Sequence, residues 1–331
     1  ARRPVVIAGT HGKTTTTALT AHVLEGCGMD PGYLIGGQPL GFPHSARLGP
    51  EGAPFVIEGD EYDTAFFDKR AKFFHYLPEI AVVTSIEFDH GDIYRDLAEI
   101  ELAFQRMLRQ IPRNGHLVLC ADNHARTLKD HAFCPVSTYG FSEEADWRGE
   151  ILDSGRMRVW RANVLWGETE FALAGRHNLQ NALAAVAVAA LLGASAESVA
   201  EALRTFPGVR RRMEIFLEAN GVTYIDDFAH HPTAIRETIT AARMRWPGRR
   251  LRVLFEPRSN TTVTNTFQDD MLDAFSKADE AWFGPIHRAE HIPEALRLDR
   301  AALVLSLEKR GGKAHFEDDP AEIAAAVQSS A

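Results

Sequence analysis

Residues 5–17 read VVIAGTHGKTTTT, an apolar run, VVIA (5–8), passing directly into GTHGKTTTT (9–17). Four apolar residues, then glycines, then a run of small residues read as a buried strand, a tight loop and a helix start. A helix beginning there offers free backbone N–H groups and the positive end of its dipole, which together favour an anion. Gly9 and Gly12 let the backbone approach phosphate oxygens, Lys13 brings a charge toward β- and γ-phosphates, and the Thr14 hydroxyl can ligate Mg²⁺. The common phosphate-loop pattern, G-x-x-x-x-G-K-[ST], would need a glycine at position 7, where this chain has Ile7. The alternative is a glycine-rich turn with a solvated lysine and a capping threonine.

Further along, FVIE (55–58), IAVVTS (80–85) and HLVLC (116–120) are short, nearly all-apolar runs, as expected for strands buried on both faces of a parallel sheet. Between them DLAEIELAFQRMLRQI (96–111) repeats its apolar residues at three- and four-residue spacing, which predicts a helix. The alternation is that of a βαβ architecture. From about 136 to 173 the texture becomes polar and Trp-bearing, as in MRVWRANV and ETEFALA, and predicts a small antiparallel flap. Residues 178–192 read as one long buried helix. TFPGVRRRME (205–214) marks a boundary, since Pro207 and Gly208 stop a helix and a basic cluster follows. Residues 1–208 are therefore expected to form a phosphate-loop domain. Residues 209–331 are expected to form a Rossmann-like α/β domain with strands at 222–226, 251–256 and 280–283 and helices near 232–244, 267–277, 292–297 and 320–328.

Composition narrows the function. The 331 residues are 45% apolar and 24% charged, the balance of a soluble globular protein. A net charge of −9 with both signs interspersed gives no footprint for nucleic acid. Cys27, Cys120 and Cys134 form neither a disulfide framework nor a C-x-x-C zinc pair, which suits a reducing cytoplasm. The longest apolar helix-like run, 182–192, is far short of the ~20 residues a membrane span needs.

Two further stretches bear on the loop. FVIEGDEYD (55–63) and SIEFDHGD (85–92) each follow a strand, and in open α/β sheets ligands bind outside the carboxyl ends of strands. Glu58 and His90 are thus candidates to complete, with Thr14, the coordination of a divalent ion on nucleotide phosphates.

GTHGKTT, EGDEYD, EFDHGD, GRHNLQNALAA (175–185), VRRRME (209–214) and DDFAHHPT (226–233), taken together and in order, resemble the Mur ligases, the ATP-dependent amide-forming enzymes of peptidoglycan assembly. That family's phosphate loop has the same shortened form, so Ile7 is a family variant. Within the family, DEYDTAFFDKRAKFFHY (60–76), EFDHGDIY (87–94) and FEPRSNT (255–261) are most similar to the branch that joins the tripeptide L-Ala-γ-D-Glu-meso-diaminopimelate to UDP-N-acetylmuramate. The branch that adds L-alanine, or another ATP-dependent ligase on the same scaffold, is the alternative, and a nucleotide-binding module without catalysis a remote one.

The resemblance implies ATP and Mg²⁺ as cofactors and a catalytic group of Lys13, Glu58, His90, Arg212 and Asp227. Nucleotide contacts would come from Gly9, Thr10, His11, Gly12, Lys13, Thr14, Thr15, His177, Asn178, Asn181 and Arg212, with the two asparagines facing adenine or, alternatively, capping a helix. Arg212 would reach the γ-phosphate by domain closure, or belong to a solvated basic run. Asp227 and His230, expected at the end of the second domain's first strand, would orient ATP or the amine. Arg258 and Ser259 would meet the carboxylate-rich peptide. The chain departs from the family pattern at Ser85, where asparagine is usual, and carries no lysine between Lys72 and Lys129 to match the carbamylated lysine of some members. A further domain holding the UDP part of the substrate is expected before residue 1, and the second domain is expected to be incomplete at its end.

Overall fold

The computed structural model describes residues 2–89, 91, 93–152, 155–171 and 173–329. Contacts gather the chain into two compact units, Ala1–Phe88 with Ile93–Asp227, and Asp89–Asp92 with Phe228–Ala331.

The first unit begins with β1 (Arg3–Ala8), α1 (Lys13–Gly26), β2 (Gly32–Leu34), β3 (Ala46–Arg47) and β4 (Pro54–Gly59). A hairpin of β5 (Asp63–Ala65) and β6 (Asp68–Ala71) leads to β7 (Ile80–Val83), α2 (Leu97–Leu108) and β8 (His116–Cys120). There follow β9 (Val136–Gly140), β10 (Trp147–Ile151), β11 (Arg156–Arg161), β12 (Val164–Glu170), α3 (Arg176–Leu191), α4 (Ala196–Arg204), β13 (Glu214–Ala219) and β14 (Val222–Asp226). Ten strands form one sheet in the order β12-β11-β10-β9-β8-β7-β1-β4-β2-β3. β1 pairs in parallel with β4 on one side and β7 on the other. The chain places β2, β3 and then β4 on one side of β1, with β4 returning to lie beside it, and β7 to β12 outward on the other, so the loop after β1 lies at the switch point where α/β sheets open a crevice.

The all-apolar runs become the sheet's buried centre: Val5 to Ala8, Ala81 to Val83 and Leu117 to Cys120 are buried. Helix α3 packs against α1. Its Ala182, Ala184, Ala185, Ala187 and Ala189 are wholly buried, and small side chains of this kind let helices approach closely.

The pairing of the strands after residue 136 adds detail that the sequence does not carry. The small antiparallel flap expected between 136 and 173 is found as the meander β10-β11-β12, paired antiparallel, and it continues the main sheet, because β9 pairs in parallel with β8 and β10 in parallel with β9. Alternation identifies strands but not their partners. VTYID was expected to open the second domain, yet as β14 it pairs antiparallel with β13. The hairpin keeps residues 209–227 in the first compact unit, beyond the boundary expected at 208.

The second unit contains α5 (Pro232–Arg245), β15 (Arg252–Phe255), α6 (Gln268–Phe275), β16 (Glu280–Phe283), α7 (Arg300–Lys309), β17 (Lys313–Phe316) and α8 (Pro320–Ser329). β15, β16 and β17 form a parallel sheet around a separate core that includes Ile235, Phe275, Phe283 and Leu303. The helix expected at 292–297 is only a single 3-10 turn, Glu294–Leu296, and α7 and β17 were not foreseen. No helix among the described residues is long and apolar enough to cross a membrane.

Candidate active site

The loop of residues 9–12 is shaped by backbone constraints that only glycine meets. Gly9 has φ 131° and Gly12 φ 81°. A Cβ on Gly9 would lie 2.2 Å from Thr84 Oγ1 and 2.8 Å from Ser85 N; one on Gly12 would lie 2.7 Å from Asn181 Oδ1. The chain after β7 braces the loop. Thr10 N donates to Ser85 O and His11 N to Ser85 Oγ, both at 2.9 Å, and Thr84 Oγ1 donates to His11 O at 2.5 Å. Thr10 Oγ1 accepts from Glu87 N at 3.0 Å, and His11 Nε2 lies 3.2 Å from Glu87 Oε2. Ser85, the departure from the family pattern, thus serves as a rivet for the loop.

Lys13 opens α1, and Thr14 and Thr15 are buried in its first turn. Thr14 Oγ1 donates to Glu58 Oε1 at 2.9 Å and accepts from Arg212 Nη2 at 3.5 Å. Glu58 Oε2 accepts from Gly36 N at 2.7 Å, which fixes the carboxylate at the end of β4. The hydroxyl and the carboxylate place hard oxygen donors side by side beside the loop, a set that suits a small divalent cation. His90 lies outside the described residues.

Arg212 belongs to the same compact unit as Lys13, so its contact with Thr14 needs none of the domain closure expected of it. Its neighbours Arg211 and Met213 both adopt left-handed backbone, at φ 59° and 52°. Each costs roughly 1–2 kcal/mol for a residue with a Cβ. Carboxylates hold both in place: Arg211 N donates to Glu214 Oε2 at 2.9 Å and Met213 N to Asp227 Oδ2 at 2.8 Å. Burial pulls the Arg212 guanidinium below its ordinary value, with Asp227 and Glu58 opposing. Asp227 therefore follows the β13–β14 hairpin in the first unit, not a strand of the second unit's sheet, and bonds the backbone next to Arg212.

At the start of α3, Asn178 Nδ2 donates to Ala174 O at 2.7 Å, a local contact at the helix N-terminus, while the buried Asn181 faces Gly12. His177 lies half-buried in the same turn. In the second unit, His230 Nδ1 lies 2.9 Å from Phe228 O, Ser259 Oγ pairs with Thr262 Oγ1 at 2.7 Å, and the exposed Arg258 lies 3.6 Å from Glu256. The segment Asp89–Asp92 groups with that unit, where Asp89 Oδ1 accepts from Thr261 Oγ1 at 2.9 Å.

One residue escaped the sequence reading. Glu61 holds the Lys13 ammonium at 2.9 and 2.7 Å through its two carboxylate oxygens. Burial alone would lower the Lys13 pKa, but Glu61, with Asp60 and Glu58, raises it above the usual lysine value. In a run with four carboxylates, EGDEYD, nothing in the spacing singles out the third.

A glycine-bounded loop at the sheet's switch point, with lysine, threonine, carboxylate and arginine gathered on it, defines a phosphate-loop α/β protein. Comparison with known families makes that class specific. Residues 7–189 match the Mur ligase middle domain and residues 211–331 match the family described as Mur ligase, glutamate ligase domain. The chain belongs to the Mur ligase family. It is 41% identical over 294 residues to the UDP-N-acetylmuramate–L-alanyl-γ-D-glutamyl-meso-2,6-diaminoheptandioate ligase of Escherichia coli, covering 87% of this chain and 63% of that protein. It is 38% identical over 345 residues to the UDP-N-acetylmuramate–L-alanine ligase of Bordetella petrii, covering 98% of this chain and 72% of that one. Among solved structures it is similar to the murein peptide ligase of Psychrobacter arcticus, with a TM-score of 0.69 and 34% identity over 97% of this chain and 70% of that chain.

Proposed function

We propose that the chain is the ATP-binding and peptide-side part of a ligase that joins L-Ala-γ-D-Glu-meso-diaminopimelate to UDP-N-acetylmuramate in the cytoplasm, with ATP and Mg²⁺ as cofactors. The observation that carries this reading is the Thr14 hydroxyl, bonded to both Glu58 and Arg212 beside Lys13. A carboxylate is a poor acyl donor. Transfer of the γ-phosphate to it gives an acyl phosphate, which the peptide amine attacks, releasing phosphate. Such transfer depends on positioning and on stabilising spread negative charge.

Lys13 and Arg212 would supply the two cations, and the N–H groups that open α1 would receive the phosphates. Thr14 and Glu58 would hold Mg²⁺, which when bound would neutralise charge on the transferring phosphoryl group; His90, expected from the sequence to join them, lies outside the described residues. Asn181, which faces Gly12, and His177 would meet the purine, while Asn178 bonds Ala174 O at the start of α3. Asp227 sets the backbone beside Arg212. His230, Arg258 and Ser259 receive the peptide, arginine matching a carboxylate with two parallel hydrogen bonds.

L-alanine addition is the second reading, favoured by the Bordetella petrii relative that the chain matches over most of its length. Phosphate release by the full-length protein with UDP-N-acetylmuramate separates the two. Turnover with the tripeptide and none with free L-alanine supports the first reading; the reverse establishes the second.

A further inference from the structure

The contact between Lys13 and Glu61 is the most enclosed ion pair of the nucleotide loop. The lysine side chain is 12% exposed and the glutamate 3%. The neighbouring acids are engaged elsewhere: Glu58 with Thr14 and Gly36, and Asp60 with Lys72 Nζ at 2.7 Å. The backbone around Glu61 is tied at three consecutive carbonyls. Asp60 O accepts from Phe73 N at 3.3 Å, Glu61 O from Tyr94 Oη at 2.8 Å and Tyr62 O from Lys72 N at 3.0 Å.

A lysine charge meant for phosphate is here already balanced. An ammonium buried without a partner would be costly, so the loop needs an anion whether or not a nucleotide is present. We propose that Glu61 is the resident counter-ion of Lys13, a positioning residue that holds the ammonium and is displaced by incoming phosphates. This rests on the nucleotide site proposed above. The displaced carboxylate is left among phosphates and the carboxylates of Glu58 and Asp60, so a divalent cation arriving with the nucleotide favours the exchange. Glu61 thereby makes binding depend on the metal more strongly than the phosphates alone would.

The test is calorimetric titration with ATP, once with Mg²⁺ and once with EDTA, on the wild type, Glu61→Gln and Glu61→Asp, with folding checked by thermal melting. Gln keeps the length and removes the charge; Asp keeps the charge and draws it back by one methylene. Metal-free ATP should bind Glu61→Gln about tenfold tighter than wild type, equivalent to 1.4 kcal/mol, and the ratio of affinities with and without Mg²⁺ should shrink. Glu61→Asp should move both quantities the same way by less, and it decides the matter if the Gln variant does not fold. Unchanged or weaker metal-free binding in the folded variants would overturn the exchange while leaving the site intact. Wild type that fails to bind ATP even with Mg²⁺ would refute the site itself.

Discussion

Thr14 donates its hydroxyl proton to Glu58 across 2.9 Å, joining the first turn of α1 to the carboxyl end of β4. The helix that follows β1 and the end of β4, the parallel neighbour of β1, thus meet at one hydroxyl–carboxylate pair. If that pair is the cation site, Glu58→Gln keeps the shape and loses the charge. Affinity for ATP with Mg²⁺ should fall by at least about tenfold, with little change in EDTA. Titration calorimetry under both conditions checks this.

Gly9→Ala should be more damaging than an exposed glycine substitution. The residue sits at φ 131°, and its new methyl would lie 2.2 Å from Thr84 Oγ1 and 2.8 Å from the Ser85 amide. The strained backbone alone costs on the order of 1–3 kcal/mol, and relief can come only by moving the loop off its brace at residues 84–87. A lowered melting temperature together with lost ATP binding is the expected outcome.

Two hydroxyls on α1 run against stability. Thr16 Oγ1 and Thr20 Oγ1 are buried, with no hydrogen-bond partner among the described residues. Thr20→Val keeps the shape and removes a desolvated polar group, which costs about 1–3 kcal/mol when unmatched. The variant should melt at the same or a higher temperature than wild type, measured by calorimetry.

Asp60 gives a pH dependence of definite sign. Burial would raise its pKa, but the hydrogen bond from Lys72 and the nearby charge of Lys13 hold it below the usual carboxylate value. A depressed folded value means the contribution is complete above the unfolded pKa of about 3.9 and is lost as pH falls through the folded one. The melting-temperature gap between wild type and Asp60→Asn should be constant from about pH 5 to neutrality and should close below about pH 4.

Much of the framework could be read from residues. VVIA, FVIE and IAVV are apolar because their strands are covered on both faces, and G-T-H-G-K-T announces a loop whose glycines the structure finds at positive φ. Glu58 was legible as the residue that ends a strand next to the loop. Pairing partners were not. VTYID looks like any half-buried strand, and only the turn at Asn220 and Gly221, both at positive φ, folds it back on β13. KAHF (313–316) is too short and polar to stand out, yet it completes the second sheet in parallel with β16. RAALVLSLEK lacks the one-sided apolar stripe that marks α2, so α7 passed unnoticed. Glu61 and Ser85 act through contacts across dozens of residues, which no local pattern encodes.

The central claim is that Lys13, Thr14 and Glu58 form one metal-nucleotide site. Titrating the wild-type chain and its Lys13→Ala variant with ATP and Mg²⁺ tests it most directly. The account requires saturable one-to-one binding by wild type and a loss of at least about tenfold, 1.4 kcal/mol, in a Lys13→Ala protein that still melts cooperatively. Equal affinities in the two folded proteins, or no binding by either, would contradict it.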